Sequence, residues 1–558
     1  MRLAVCVLFV SGVLAVGGDN RVITGVVKDG TNPVAGAVVR VQGTPVHTRT
    51  NERGEFTLEL GSLITWPFAR LTAYAPGYYI SGPFAAMAGA KNLSLSLKRH
   101  PVEDDEAYEW ISAFRSAGQD ANCQNCHSDP ATKEPLLPFD EWVLDAHGTS
   151  AQNRRFLSMY NGTDLSGRYQ SPLTRFTVHK DYGRVPLPPD PNQPYYGPGF
   201  KLDFPATAGN CAACHLPNAS VRAPYDTDPN SASGVGKEGV GCDLCHKLWA
   251  VKLDPGTGLP FPNTPGVLAM DLRRPGKGHQ LFLGPFDDVA PGEDTFSPLQ
   301  NQSQICAPCH FGQFWGVQVY NSFGEWLASP YSDPLKGQTC QDCHMPRRGI
   351  NRFARFGAGA QLRDPKTVFS HLMPGAADLP LLRDTARLGL AAWQDGAILR
   401  VQAAVTNEKA GHHMPTDHPA RNILLVIFAT DGQGSPLPLV SGPQIPDWGG
   451  QGEEPTDYAG RPGRGYAKIL EELWTEIAPT AAYWNPTVLR ADTRLPALAT
   501  DVSHYEFRAP SAGGPIKVEA RLIFRRAFKS LARMKRWEVS DILMRQAEVT
   551  VASLPSPR

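Results

Sequence analysis

The sequence predicts a multidomain chain of three folded regions. They are an N-terminal β-sandwich, a central α/irregular region organised by something other than its own secondary structure, and a C-terminal β-rich, sandwich-like region with helices. Three observations lead there: apolar and polar residues alternate near both ends, proline and glycine crowd the middle, and ten cysteines of the middle fall into five pairs. At 558 residues the chain has room for three or four domains of about 150 residues each. Its 50 prolines make up about 9% of the chain against a usual figure of about 5%, so much of the backbone must be turns and loops. Lys and Arg number 54, as do Asp and Glu, so the chain has no general attraction for nucleic acid or anionic lipid.

Residues 1–18 read as a signal peptide, with Arg2 ahead of an apolar run from Leu3 to Val16 and the small residues Gly17 and Gly18 behind it. That run is too short to span a bilayer comfortably, and no later stretch reaches 18 apolar residues. The expectation is an exported chain, periplasmic, extracellular or on the cell surface, with no integral membrane span. Residues 19–99 form the predicted sandwich. Arg21–Val27 is β-branched and ends at the turn Asp29-Gly30, while Phe56, Leu58 and Leu60, and later Leu93, Leu95 and Leu97, alternate with polar residues. In residues 101–384 helices are predicted at Glu106–Phe114 and Asp140–Asp145, with proline-dense loops such as Val185–Pro198 between. In residues 385–558 strands are predicted at Ile423–Phe428 and Val518–Phe524, and helices at Tyr466–Trp474 and Arg525–Trp537. The last helix carries Arg525, Arg526, Lys529, Arg533, Lys535 and Arg536, either a solvated face over a buried stripe or a docking patch for an acidic partner.

Each cysteine pair is spaced C-x-x-C and is followed at once by histidine: Cys123, Cys126 and His127; Cys211, Cys214 and His215; Cys242, Cys245 and His246; Cys306, Cys309 and His310; Cys340, Cys343 and His344. With 15 histidines in the chain, five such coincidences have a chance on the order of 10⁻⁸. Disulfides would explain the even number but not the histidines, and structural zinc would leave the histidines surplus and five pairs unevenly grouped. C-x-x-C-H is the attachment signal of a c-type haem: two thiols form thioethers with the porphyrin, and the adjacent histidine is the proximal ligand of the iron. Five covalent haems would also supply the apolar mass that a loop-rich region lacks. First cysteines 31 residues apart in the second and third motifs, and 34 apart in the fourth and fifth, suggest two similar two-haem units.

On these motifs the chain resembles the multihaem, here pentahaem, c-type cytochromes of the cytochrome c554-like group over about residues 101 to 430. Further carriers of the resemblance are Glu141-Trp142 with His147, Gly284-Pro285-Phe286-Asp287-Asp288, Cys340 to Pro346, and Gly411-His412-His413-Met414-Pro415-Thr416. The first region, through GVVKDG, VAGAVVRV, TNERGEFTLEL and APGYY, resembles a carboxypeptidase regulatory-like or transthyretin-like domain, which implies an accessory role such as contact with a partner, a surface or a glycan.

A closed electron-transfer haem needs a second axial ligand. The resemblance points to His147, to His371 in Phe369-Ser370-His371, and to His412 in a Gly-His-x-x-Pro-Thr motif; His179 and His279 complete five, with His413 and His418 in reserve. Met345, Met373 and Met414 are poorer candidates, so low-potential bis-histidine haems are expected. Two functions follow. One is an electron-transfer protein that relays single electrons to redox partner proteins or extracellular acceptors, with no catalytic residue of its own. The other is an oxidoreductase acting on a small nitrogen or sulfur compound at one open haem; no C-x-x-C-K or other separate catalytic motif marks such a site.

Overall fold

The computed structural model describes residues 21–61, 67–116, 121–131, 136–511 and 513–553. The signal-peptide segment lies outside them. Among the described residues no helix is long and apolar enough to cross a membrane. The chain divides into two compact units, and these cut across the three regions read from the sequence. One unit holds residues up to Tyr108 together with Arg273–Gln300 and Gly359–Thr367; the other holds Glu109–Leu272, Asn301–Ala358 and Val368–Arg558.

In the first unit, strand Val22–Asp29 pairs with Glu55–Glu59 and, in parallel, with Leu93–Ser96. A second, antiparallel sheet runs His47–Arg49, Val38–Val41, Phe68–Tyr74, Ser81–Met87. Ile23, Val27, Phe56 and Leu58 from the first sheet share one buried cluster with Val39, Val41, Leu71 and Ala73 from the second, as expected when period-2 patterning gives each sheet one apolar face. The segment around Gly284–Asp288 belongs here. Arg40 grips Asp287 with both carboxylate oxygens, at 2.7 and 3.0 Å, and Gly43 N donates to Asp288 Oδ2 at 2.7 Å. Gly43 sits at φ +78, where a Cβ would come within 2.5 Å of Leu362 O, so only glycine suits the close approach.

The second unit is built on a larger sandwich. One sheet runs Ala386–Asp395, Ile398–Asn407, Thr500–Arg508, Leu439–Ser441; the other runs Thr487–Asp492, Gly463–Glu472, Asn422–Thr430, Gly514–Arg525, Ile542–Ser553. The inner faces meet through Leu399, Val401, Val405, Leu425, Ile427, Phe507, Val518 and Leu522. The helix expected at Tyr466–Trp474 is a strand: Gly463–Glu472 is paired on both sides, and that pairing overrides the local helix preference of Ala467-Lys468-Ile469-Leu470-Glu471. Glu106–Phe114 is not helical either; Ile111 N and Ala113 N donate instead to the carboxylates of Asp243 and Glu238. Asp140–Asp145 is helical only over Pro138–Trp142, and Arg525–Trp537 only over Lys529–Met534.

The basic cluster of that last segment is spent internally. Arg525 is buried and holds Asp541 bidentately at 2.7 and 3.0 Å, Arg533 holds Asp457, and Lys535 Nζ donates to the carbonyls of Ser158, Thr163 and Pro198. Arg533 and Arg536 keep exposed faces, at 38% and 53%, so the segment is a buried basic pair beside a partly solvated edge.

Candidate functional site

The five motifs of the second unit lie on single helical turns, Gln124–His127, Ala212–His215, Cys242–Cys245, Ala307–His310 and Cys340–His344. Positions i, i+3 and i+4 share one helix face, so both thiols and the imidazole of a motif point the same way. The turn is closed by His127 N to Cys123 O at 2.9 Å, His215 N to Cys211 O at 3.1 Å and His246 N to Cys242 O at 3.0 Å. Thr339 and Asp342 form a capping box that starts the fifth. The motifs cluster: the thiol of Cys242 faces that of Cys123, Cys306 faces Cys340, and Cys309 faces Cys214. The fourth motif therefore touches both the second and the fifth.

Two histidines from elsewhere in the chain stand opposite motif histidines. The rings of His344 and His412 have centres 6.2 Å apart and planes within 13° of parallel; those of His310 and His147 lie 6.3 Å apart at 68°. Two imidazoles bound in trans to one metal, with metal–nitrogen bonds of about 2 Å, have centres about 6.3 Å apart. The Nδ1 atoms are turned to the protein: His344 donates to Pro374 O at 2.7 Å, His412 to His413 O at 2.9 Å, His127 to Phe353 O at 2.6 Å, and His147 to Asp145 Oδ1 at 2.7 Å. That leaves Nε2 as the ligating atom in each, as iron held between two imidazoles requires, so these residues fit the haem that the motifs imply.

His371 lies within electrostatic reach of His246 and His127, and His418 of His215. Burial pushes His371 down to about 3, and His215, His344 and His418 down to about 4, which keeps these imidazoles neutral, the form that binds metal. His310 differs. Burial opposes its charge, but Asp417, 3.5 Å from its Nδ1, lifts it to about 9. Burial pushes the Cys211 and Cys245 thiols up to about 12, so they are thiols rather than thiolates in the bare chain.

Of the five distal candidates, His147 and His412 face a motif histidine and His371 lies among two. His179 sits at the end of strand Phe176–His179 against Tyr182 and Trp474, and His279 is exposed and belongs to the first unit. His418, held in reserve, packs instead beside Tyr320 and Tyr483 toward the second motif. His413 joins a different cluster, its N donating to Glu325 at 3.1 Å. Sequence reasoning missed Asp145 and Asp417; the Asp-x-His spacing of Asp145 and His147 was the available signal for the first.

No protein-family model matches the chain, and no curated protein matches it. Among solved structures it is similar to a penta-heme cytochrome c552 from Thermochromatium tepidum, at 21% identity over 77% of this chain and 97% of that one, with a TM-score of 0.49. It is also similar to the PapD-like domain 7 of human CEP192, at 6% identity over 31% of this chain and 87% of that one, with a TM-score of 0.13. Neither score establishes a shared fold.

Proposed function

We propose that the protein is an exported pentahaem c-type cytochrome that relays single electrons through covalently attached, mostly bis-histidine haems to a redox partner or an extracellular acceptor. The observation that carries this reading is the spacing of His344 from His412 and of His310 from His147, each matched to one metal between two imidazoles, next to five motifs that supply thiols and proximal ligands. Each haem would supply a one-electron ferric/ferrous couple. The chain's own residues do the rest. Motif cysteines would hold each haem through thioethers, and the proximal and distal imidazoles would ligate its iron. The Nδ1 acceptors of His127, His147, His344 and His412 hold those rings in place. By this reading the distal ligands are His147 for the motif of His310, His412 for His344, His418 for His215 and His371 for His246. The first unit would serve as an accessory surface for a partner or a glycan.

The test is the mass of the denatured holoprotein together with its spectrum. Five haems that survive acid–acetone extraction, with low-spin ferric bands, support the relay. Release of free porphyrin, or zinc in place of haem, overturns it. A high-spin haem in the wild type that binds carbon monoxide when reduced moves the reading to the oxidoreductase alternative.

A further inference from the structure

The axial imidazoles differ in what their Nδ1 atoms meet. His344, His412 and His127 meet backbone carbonyls. His147 meets the carboxylate of Asp145 at 2.7 Å, and His310 faces that of Asp417 at 3.5 Å. Of these five imidazoles, the two with carboxylate partners are the two that face each other across 6.3 Å. The carboxylates reach them from separate elements. Asp145 follows helix Pro138–Trp142 and is fixed by its own N to Trp142 O at 3.1 Å; its Oδ1 also accepts from His147 N at 2.8 Å. Asp417 lies in the loop after His412 and His413 with φ +68, a backbone state that Asp and Asn adopt more readily than most residues. The side chain of Asp145 is 3% exposed and that of Asp417 18%, so water screens neither fully. Arg421 stands 3.9 Å from the same Asp417 oxygen, farther than His310 does, and offsets part of its charge.

We propose that Asp145 and Asp417 are positioning residues that make the iron site between His147 and His310 the most reducing of the set. This rests on the haem reading above. Asp145 makes with His147 a stronger, charge-assisted hydrogen bond than a carbonyl would and raises the donor strength of that imidazole, while Asp417, 3.5 Å from Nδ1 of His310, acts through its charge. A stronger donor pair with two adjacent negative charges favours the ferric state, which carries one more positive charge than the ferrous state. The site between His344 and His412, with two carbonyl acceptors, has neither help. Because the fourth motif touches the second and fifth, the least easily reduced haem lies inside the cluster, and electrons crossing it take an uphill step.

The experiment is a spectroelectrochemical titration of the full-length holoprotein, with haem count by mass and ferric EPR alongside. The 68° between the His147 and His310 planes gives that iron a more axial low-spin signal than the near-parallel His344 and His412 pair, which identifies it. In the wild type this signal should disappear last on reduction. Asp417→Asn and Asp145→Asn should each make the same haem at least tenfold easier to reduce, a shift of about 59 mV for one electron. The double variant should shift it further, Asp417→Glu should restore most of the wild-type value, and Asp457→Asn, whose carboxylate is held by Arg533 and the backbone of Glu454, should move no haem. If either aspartate variant fails to accumulate, the other and the wild-type reduction order still decide. A wild type without covalent haem removes both readings. Five attached haems, with the axial low-spin one reduced early or unmoved by either substitution, remove this one alone.

Discussion

His418→Ala set against His179→Ala decides how the structure and the sequence pattern differ at the second motif. His418 is half-buried beside Tyr320 and Tyr483, with His215 in electrostatic reach, whereas His179 ends a surface hairpin. Haem attachment uses only motif cysteines and the proximal histidine, so both variants should carry five haems. In His418→Ala one iron of five loses a ligand. Low-spin ferric absorbance equal to one haem should therefore convert to high spin, and the reduced protein should bind one equivalent of carbon monoxide more than the wild type. The vacated volume adds a cavity, so a stability loss of about 2–4 kcal/mol should accompany the spectral change. His179→Ala should leave the spectrum at wild type. EPR integration and carbon monoxide titration read both. A fully low-spin His418→Ala protein, or a high-spin iron in His179→Ala, refutes the assignment.

Three further outcomes follow from the same contacts. Arg525→Ala strips both oxygens of Asp541 of their guanidinium and should lower stability by about 3 kcal/mol, while Arg525→Lys, which keeps the charge but not the fork, should recover only part of it; denaturant midpoints followed by far-UV circular dichroism read this. In the second unit Asp243 and Lys247, wholly buried and 2.7 Å apart, should show strong coupling in a double-mutant cycle: either single removal costs about 3–5 kcal/mol, and Asp243→Asn with Lys247→Met costs less than the sum. Asp457 is held below the ordinary carboxylate range because Arg533 and the backbone of Glu454 outweigh its burial. Its contribution is full above the unfolded aspartate value and is lost as pH falls through the lower folded value, so Asp457→Asn should flatten the acid arm of the stability profile and leave its neutral-to-alkaline shape unchanged.

Much of the site was legible because it is local. A C-x-x-C-H motif needs only one helical turn to bring its three groups to one side, so no tertiary knowledge is required to read it. His147 and His412 were legible because they sit in short recognisable settings. His418 was not: the stretch Gly411 to Ala420 carries three histidines, and which of them turns toward a motif depends on a loop path that no periodicity encodes. The same limit explains Gly284–Asp288, which reads as part of the cytochrome-like stretch yet is bound by Arg40 and Gly43 of the first unit, partners more than 240 residues away in sequence. Tyr466–Trp474 failed for the converse reason, since a locally helical composition was overruled by strands on both sides.

The C-terminal sandwich gives so irregular a motif region a rigid support for the proposed ligands. Helical turns of four or five residues are marginal alone and cannot fix a distal imidazole to within a fraction of an ångström. His412, Asp417 and His418 all hang from one loop between strands Ile398–Asn407 and Asn422–Thr430, whose residues are among the most buried of the chain. Asn407 Nδ2 ties that loop at its start, donating to His412 O at 2.8 Å and Leu495 O at 3.1 Å. Glu325, beside the fourth motif in sequence, ties its middle by accepting from His413 N and Thr416 Oγ1 while Arg494 holds its other oxygen at 2.6 Å. A rigid sheet thus presents the loop and a buried carboxylate locks it to the motif region, which is why residues 385–558 and the motifs form one unit rather than two. Glu325→Gln should then loosen the loop that carries both His412 and His418. Its measurable consequence is ligand exchange at two irons rather than one, read as carbon monoxide binding at two sites in the reduced protein; exchange at neither would mean that the sandwich strands alone hold the loop.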